Sequence, residues 1–283
     1  MTEQSTKVVE GSVDVSVVVP CFRCIQTIDR AIESVVAQTV QPKELILVDD
    51  DSRDGTLACL ESWRDRFPGW IKVVPLMLNA GAGMARNAGW ERATGRYVAF
   101  LDSDDSWHPQ KLAVQYAFME AHPDVLLCGH DHTIGRCLAD DAPFNWNGQA
   151  LGRWRMLVKN PFVTPSVMLR TNVTQRFAPR RRYMEDHLLW LCIALTGGKV
   201  YRLDAPLAVL HKAVVGVSGL SNHTRAMSKA DFGNYLLLYR KGYLSWVELS
   251  LSWAWVGVKF FRRAVMLGLP RVWKRWRHVG DQR

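Results

Sequence analysis

Two short acidic runs carry the densest chemistry in this chain: Asp49-Asp50-Asp51, followed by Ser52, and Asp102-Ser103-Asp104-Asp105. Six carboxylates gathered in one place repel one another unless a cation or strong donors offset them. In the second run the Asp-x-Asp spacing lets alternate side chains meet one hard ion. Mg²⁺ or Mn²⁺ held this way draws its remaining ligands from water and phosphate. Asp102 and Asp104 are the metal candidates, whereas Asp51 and Asp105, with Ser52 and Ser106, read as turn and helix-cap residues. Only seven acids lie beyond residue 140. Two of them, Glu185 and Asp186, stand where an apolar run from Met184 to Leu195 begins, a place where carboxylates complement a helix N-terminus.

Both acidic runs follow apolar strands. Val13 to Pro20 is β-branched and closed by Pro, Glu44 to Asp50 is a second buried strand, and Gly95 to Asp102 is a fourth after an apolar run over Trp70 to Leu78. Helical spacing separates them: Thr27 to Ala37, Thr56 to about Trp63, Gly81 to Arg92 and Pro109 to Ala121. Strands alternating with helices of this length predict an α/β fold with a mostly parallel sheet covered on both faces. In such sheets ligands sit at the carboxyl ends of the strands, where both acidic runs fall. Further on, Asp124 to Cys128, Pro165 to Arg170, Lys199 to Leu203 and Pro206 to Leu210 read as short strands, and Leu151 to Val158 and Met184 to Leu195 as helices. Gly129 to Gln149 carries no clear period, and Ala213 to Thr224 reads as a Gly- and Ser-rich loop.

With 283 residues, 48% hydrophobic and 22% charged, the chain can bury a large core, which excludes wholesale disorder, collagen and coiled coil. The net charge of +9 conceals an asymmetry. Residues 1–140 hold 13 basic and 20 acidic side chains, and residues 141–283 hold 23 and 7. An acidic front suits a metal, and a basic rear suits phosphate or an anionic surface. Six Cys follow no disulfide framework, and the opening segment is polar, so reduced thiols in the cytoplasm are expected. Cys21 and Cys24 form a lone CxxC, read as packing because no second pair completes a zinc set. No stretch reaches the roughly 18–20 uncharged apolar residues that span a bilayer; the nearest, Gly242 to Val258, is interrupted by Glu248.

Five segments in order carry a resemblance: VSVVVP (Val15 to Pro20), IDRAIESVVAQT (Ile28 to Thr39), ELILVDDDSRDGT (Glu44 to Thr56), NAGAGMARNAGWERATGRYVAFLDSDD (Asn79 to Asp105) and HPQKL (His108 to Leu112). Residues 15–125 thereby resemble the inverting, nucleotide-sugar-dependent glycosyltransferases of family 2, whose fold is GT-A, a Rossmann-like sheet flanked by helices. The resemblance implies that Asp50 accepts from the nucleobase imide, with Asp49 beside it, and that Pro20 and Phe22 line the base pocket. It places Arg86 toward the nucleotide, Asp102 on ribose or metal, Ser103 beside it, and Asp104 on the metal at the diphosphate. Phe22-Arg23 stands where the family commonly has Tyr-Asn, a departure at the base contact itself. The ED pair resembles the family's acid–base motif, which implies Asp186 as the base and Glu185 as an acceptor contact. A sugar hydroxyl has a pKa far above 7, so its attack needs such a carboxylate. His211, with Lys212, matches a late metal-binding His of several GT-A enzymes.

These readings divide the chain into a polar leader (1–12), a nucleotide-sugar-binding half (13–130), an acceptor-binding half with the base (131–241) and a basic, Trp-rich amphipathic tail (242–283). In the tail Glu248, Ser252, Lys259, Arg262 and Arg263 form a polar stripe on an otherwise apolar helix, and residues 259–283 hold eight basic residues and one acid. That is the composition of a helix lying in lipid headgroups. The expected partners are a nucleotide-diphosphate sugar, UDP-linked, a polyprenyl-diphosphate-linked glycan and an anionic membrane, with no nucleic acid. The expected place is the inner face of a bacterial inner membrane. The QxxRW of processive synthases is missing: Gln149 to Trp154 is one residue too long and precedes the ED pair. Two alternatives remain open, a polyprenyl-phosphate glycosyltransferase, whose acceptor needs no base, and a silent nucleotide-sugar or membrane-binding module.

Overall fold

The computed structural model describes residues 11–135, 148–211 and 224–262. The chain forms two compact units that divide between Ser218 and Gly219. In the first, a nine-stranded sheet is built around β1 (Val13–Cys21), which lies parallel to β2 (Pro42–Asp49) on one side and β4 (Tyr97–Phe100) on the other. β3 (Ile71–Pro75) extends β2 in parallel. Every residue from Val15 to Cys21, Leu45 to Asp50 and Tyr97 to Leu101 is buried, as a sheet covered on both faces requires.

α1 (Ile28–Val36) buries Ile28, Ala31, Ile32 and Val35, and its first turn has no side-chain cap. Burying one Ile or Val is worth about 1.5–3 kcal/mol, more than the roughly 1 kcal/mol of a missing cap, so packing holds this helix. α2 (Thr56–Arg66) begins after Gly55, in the left-handed region at φ 88°. Neither Asp51 nor Ser52 caps it. Asp51 pairs with Arg53, and Asp54 Oδ1 accepts from Thr56 N at 3.1 Å. α3 (Ala82–Trp90) lies directly on β1 and β2. A Cβ on Gly89 would stand 2.4 Å from Val18 Cγ1 and 3.0 Å from Val48 Cγ2, so only glycine allows this approach.

Beyond β4 the sheet departs from the parallel pattern. A two-residue strand, β5 (Ser106–Trp107), precedes α4 (Lys111–Ala121), so Ser106 pairs in the sheet rather than capping a helix. β6 (Val125–Ile134) runs six residues further than its apolar start suggests. β7 (Gly148–Ala150) and α5 (Arg153–Val158) follow; residues 136–147 lie outside the described residues. The strand expected at Pro165 is first a 3-10 turn, Thr164–Ser166, and only then β8 (Met168–Arg170). After α6 (Glu185–Leu195), the two short strands expected over 199–210 are one, β9 (Lys199–Leu210). Pro206, which has no N–H to give, sits opposite Asp131 where the register with β6 shifts. The order β3-β2-β1-β4-β8-β6-β9-β5 places β8 antiparallel between β4 and β6, with β7 off the path on β9. Residue 130 lies inside β6, so both expected halves share one sheet.

The second unit contains α7 (Thr224–Arg240), which periodicity did not reveal, and α8, residues 246–262. Gly242, at φ 75°, ends α7 by donating to Tyr239 O at 2.9 Å. Ser245 and Glu248 form a capping box that starts α8: Glu248 Oε2 accepts from Ser245 N at 2.8 Å, and Glu248 N donates to Ser245 Oγ at 3.3 Å. Part of the polar stripe of the tail packs inward, while Arg262 is exposed. Ser252 is buried, Lys259 pairs with Asp231 of α7 at 3.4 Å, and Trp253 Nε1 donates to Phe232 O at 3.2 Å. The face opposite, with Val247, Leu251, Val258 and Phe261, is exposed. Arg263 and the remaining tail lie outside the described residues, as do Lys212 and the expected loop over 213–224 except Thr224, which opens α7 instead. Among the described residues no helix is long and apolar enough to cross a membrane.

Candidate active site

Register brings the first acidic run to the sheet edge, with Cys21 of β1 paired to Asp49 of β2. Asp49 is buried and accepts from Ser52 Oγ at 2.5 Å, closing the turn 49–52. Asp50 is also buried. Its Oδ1 accepts from Ala80 N at 2.7 Å, its Oδ2 from Gly81 N at 2.8 Å, and Asn79 Nδ2 donates to its carbonyl at 3.0 Å. Both carboxylates thus hold the loops that frame the strand ends, a task the sequence did not disclose. Each oxygen keeps a second lone pair, the one a base contact would use. Pro20 is buried opposite Val48, and Phe22 is 44% exposed beneath the Arg23 guanidinium, 5.1 Å from its ring. Arg23 N donates to Ser52 Oγ at 3.1 Å, so Phe22 and the Asp49 turn are tied together.

Cys21 and Cys24 are free and buried, as the packing reading expects. Burial pushes the Cys21 thiol well up. Cys24 moves the other way: its hydrogen bond with Cys21 outweighs burial, helped by Ser103, so Ser103 contacts the first loop.

The second acidic run turns at once, Asp105 N donating to Asp102 O at 3.0 Å. Arg30 of α1 donates to the carbonyl of Asp104 at 2.5 Å. Asp105 is buried, and its Oδ1 accepts from His211 N at 3.2 Å. Burial, then the charges of Asp102 and Asp104, push its carboxyl up to about 8, a sign of how much negative charge collects here. His211 Nε2 shares a hydrogen bond of 2.8 Å with Ser106 Oγ. Burial, then Arg30, lower its pKa, which leaves a neutral imidazole at pH 7. Carboxylate oxygens and a neutral imidazole suit a divalent cation. Among the described residues no three His, Cys, Asp or Glu side chains form a group that could hold one unaided.

The third cluster joins two segments far apart in the sequence. α6 starts after Met184, left-handed at φ 55°, and buries every residue from His187 to Ile193, which leaves Glu185 and Asp186 at its edge. Asp186 Oδ2 accepts from Asn160 Nδ2 at 3.1 Å, and its Oδ1 accepts from His187 N at 2.7 Å. Burial, then Asp186, raise the pKa of Glu185. Arg86 opposes that rise. Its Nη2 donates to Asp102 Oδ1 at 2.6 Å, and its Nη1 lies 3.5 Å from Glu185 Oε1. Its nearest charged partners are thus Asp102 and the ED pair. Among the described residues the non-glycine positions with positive φ are Arg23, Asp51, Arg53, Arg180 and Met184, all in loops that frame these clusters. Such conformations persist where the surroundings over-determine them, and they gather at functional sites.

Sequence reasoning missed Arg30, Asn87 and Asn160. Asn87 lies in a segment that carried the resemblance, but its role depends on Phe177, whose backbone N and O it binds at 3.0 and 2.9 Å. Asn160 has no local signal at all.

Acidic turns at the carboxyl ends of a half-parallel sheet, with an acid pair opening a later helix beside them, define a GT-A sugar-nucleotide transferase architecture. Residues 16–173 match the family model described as glycosyl transferase family 2, and the chain belongs to that family. Among its relatives is TuaG of Bacillus subtilis (strain 168), named for teichuronic acid biosynthesis, 34% identical over 77% of this chain and 86% of its own. Another is WfgD of Escherichia coli, named UDP-Glc:α-D-GlcNAc-diphosphoundecaprenol β-1,3-glucosyltransferase, 30% identical over 63% of this chain and 69% of its own. Residues 1–349 of S. aureus TarS, solved with UDP-GlcNAc, superpose with a TM-score of 0.66 and 23% identity. The match covers 88% of this chain and 72% of that one, a likeness of fold. Another S. aureus TarS structure matches with a TM-score of 0.61 and 22% identity over 79% of this chain and 39% of that one.

Proposed function

We propose that this glycosyltransferase is inverting and moves one sugar from a UDP-linked donor to a hydroxyl of a polyprenyl-diphosphate-linked glycan in bacterial surface polysaccharide synthesis. The observation that carries the reading is Asp186, an oriented carboxylate at the edge of α6, linked through Glu185 and Arg86 to Asp102 at the strand ends. Asp186 takes the proton of the acceptor hydroxyl as its oxygen bonds to the anomeric carbon. The bond from that carbon to the diphosphate oxygen breaks, and its electron pair leaves on the nucleoside diphosphate. Asn160 fixes one oxygen of the base and the His187 N–H the other, so the carboxylate meets the acceptor in one orientation. Phe22 offers a face for the base beside the Asp49 and Asp50 loops. Asp102 and Asp104 would hold Mn²⁺ or Mg²⁺, which when bound would neutralise the charge developing on the diphosphate; His211, bonded to Ser106 Oγ, does not complete a three-residue group with them. The names of TuaG and WfgD support the polysaccharide setting and the lipid-linked acceptor.

The exposed face of α8 and the basic tail beyond it would bring the enzyme to an anionic bilayer at the inner face of the cell membrane, where such acceptors lie. The test of the chemistry uses the full chain with Mn²⁺ or Mg²⁺, a panel of UDP-sugars and GlcNAc-diphospholipid. Asp186→Asn should lower transfer about 10²–10⁴-fold, the range for loss of a general base, with UDP affinity unchanged. Transfer that survives this substitution favours a polyprenyl-phosphate acceptor. UDP binding without transfer to any acceptor marks a silent module.

A further inference from the structure

α3 presents Gly83, Arg86 and Asn87 on one face, at i, i+3 and i+4. All three serve the segment that leads into α6. A Cβ on Gly83 would lie 3.3 Å from both Glu185 Cγ and Phe177 Cβ, so glycine lets that segment come close. Asn87 binds both backbone groups of Phe177, whose ring lies 5.4 Å from the Arg86 guanidinium. Arg86 itself is buried, and its Nε and Nη1 make no hydrogen bond. One guanidinium therefore spans two carboxylates from distant parts of the chain, with donor capacity to spare.

We propose that Arg86 is a positioning residue for the transfer step: by bridging Asp102 to Glu185 it sets the first turn of α6, and with it Asp186, at a fixed distance from the donor end of the site. The proposal rests on the reading of Asp186 as the base and deepens it. Glu185, Asp186 and Asp102 are three acids around one buried cation. Without that cation, Glu185 would stand as a buried acid with no counter-charge. It would take up a proton or turn toward water, and either change moves the turn that carries Asp186. Lysine keeps the charge but not the fork, so it can satisfy only one of the two carboxylates. The nucleotide-facing role implied by family resemblance predicts something different, a loss expressed in donor affinity.

The experiment is a double-mutant cycle in the full chain: Arg86→Gln, Glu185→Gln and the pair, with Arg86→Lys as the conservative variant. Kinetics with UDP-sugar and acceptor are set beside UDP calorimetry and urea unfolding. Arg86→Gln should lower kcat about 100-fold, the loss that a 1 Å misplacement causes, while the UDP Kd moves less than about threefold. The double variant should be no slower than Arg86→Gln alone, because both changes break one link. Arg86→Lys should recover part of kcat. Losses that multiply in the double variant overturn the proposal, as does a loss in Arg86→Gln that saturating donor repairs. Urea midpoints that show no coupling between the two sites overturn the bridge itself. Coupled midpoints in a wild-type chain that transfers no sugar would instead overturn the transferase reading, and the role in transfer with it, while the bridge stands.

Discussion

Asp50 illustrates how one side chain is committed before any ligand arrives. Each of its oxygens already holds a backbone N–H of the 79–81 loop, and Gly81, at φ 86°, turns that loop into α3. Replacing a carboxylate oxygen by an amide group sets a donor against a donor. Asp50→Asn is expected to cost about 1–3 kcal/mol in urea unfolding, the penalty for one unsatisfied buried group, and to weaken UDP binding because the loop loses its anchor. Unchanged stability would show that the loop holds without this pair. Asp186 likewise has one donor on each oxygen, Asn160 Nδ2 and His187 N, and each oxygen keeps a lone pair that can accept a substrate proton. Arg30 shows that a backbone contact can matter as much as a charge: by holding the carbonyl of Asp104 it fixes the turn on which the acidic pair stands.

The elements are tied to one another at the end of the sheet opposite the site. Glu44 of β2 is buried, accepts from Ser16 Oγ of β1 at 2.6 Å and from Thr94 N at 2.6 Å, and pairs with Lys72 of β3 at 2.5 Å. Ser16 Oγ in turn accepts from Gly95 N at 2.9 Å, just before β4. This knot sets the mutual register of four strands and hence the level at which Asp49 and Asp102 emerge. Burial alone would raise the pKa of Glu44, but Lys72, Ser16 and Thr94 bring it below its ordinary value of 4.5. Because the folded value lies below the unfolded one, the knot contributes its full stability above the ordinary value and loses it as pH falls through the folded value. Glu44→Gln should therefore cost about 1–3 kcal/mol at pH 7, with the gap to wild type narrowing below pH 4.5. A gap that stays constant down to pH 3 would rule out an ionised Glu44 as its source.

At the scale of the molecule, the first compact unit carries the candidate site, and the second is proposed as the attachment to the membrane. α8 buries Leu249, Ser252 and Val256, pairs Lys259 with Asp231 of α7, and still leaves a second apolar face with Val247, Leu251, Val258 and Phe261 outward. Leu251 and Phe261 on that face are 54% and 70% exposed, so changing them should leave the fold intact. The intact chain is expected to co-sediment with vesicles containing phosphatidylglycerol and to release them at high salt, because basic residues near anionic lipid contribute about 1 kcal/mol each before screening. The Leu251→Glu, Phe261→Glu double variant should bind at least about tenfold more weakly, since charge is costly among acyl chains. Equal binding of both proteins, or equal binding to neutral vesicles, would remove α8 from the role.

Much of the first unit was legible because its signals are local. Val15 to Pro20 and Glu44 to Asp50 are continuous apolar runs, the helices between them repeat at helical spacing, and the acids sit where those runs stop. These features depend on residues a few positions apart, so period and residue type suffice. The same holds for Glu185 and Asp186 at the head of an apolar helix. The capping box of Ser245 and Glu248 was equally local, yet Glu248 was read as an interruption of an apolar run and as part of a polar stripe, not as a cap.

What the tertiary structure decided involves partners far apart in the chain. Pairing with β6 made Lys199–Leu210 a single strand through Pro206, and pairing with β9 gave Ser106 and Trp107 a place in the sheet. Packing on α7 drew Lys259 and Ser252 inward, where composition alone suggested a polar outer stripe. The clearest case is Arg86. Sequence assigns it a charge and a helix, but its partners lie 16 positions away at Asp102 and in another segment altogether at Glu185. Which carboxylates share one buried guanidinium is settled only when the sheet has closed, because Coulomb and hydrogen-bond energies depend on distance in space and not along the chain.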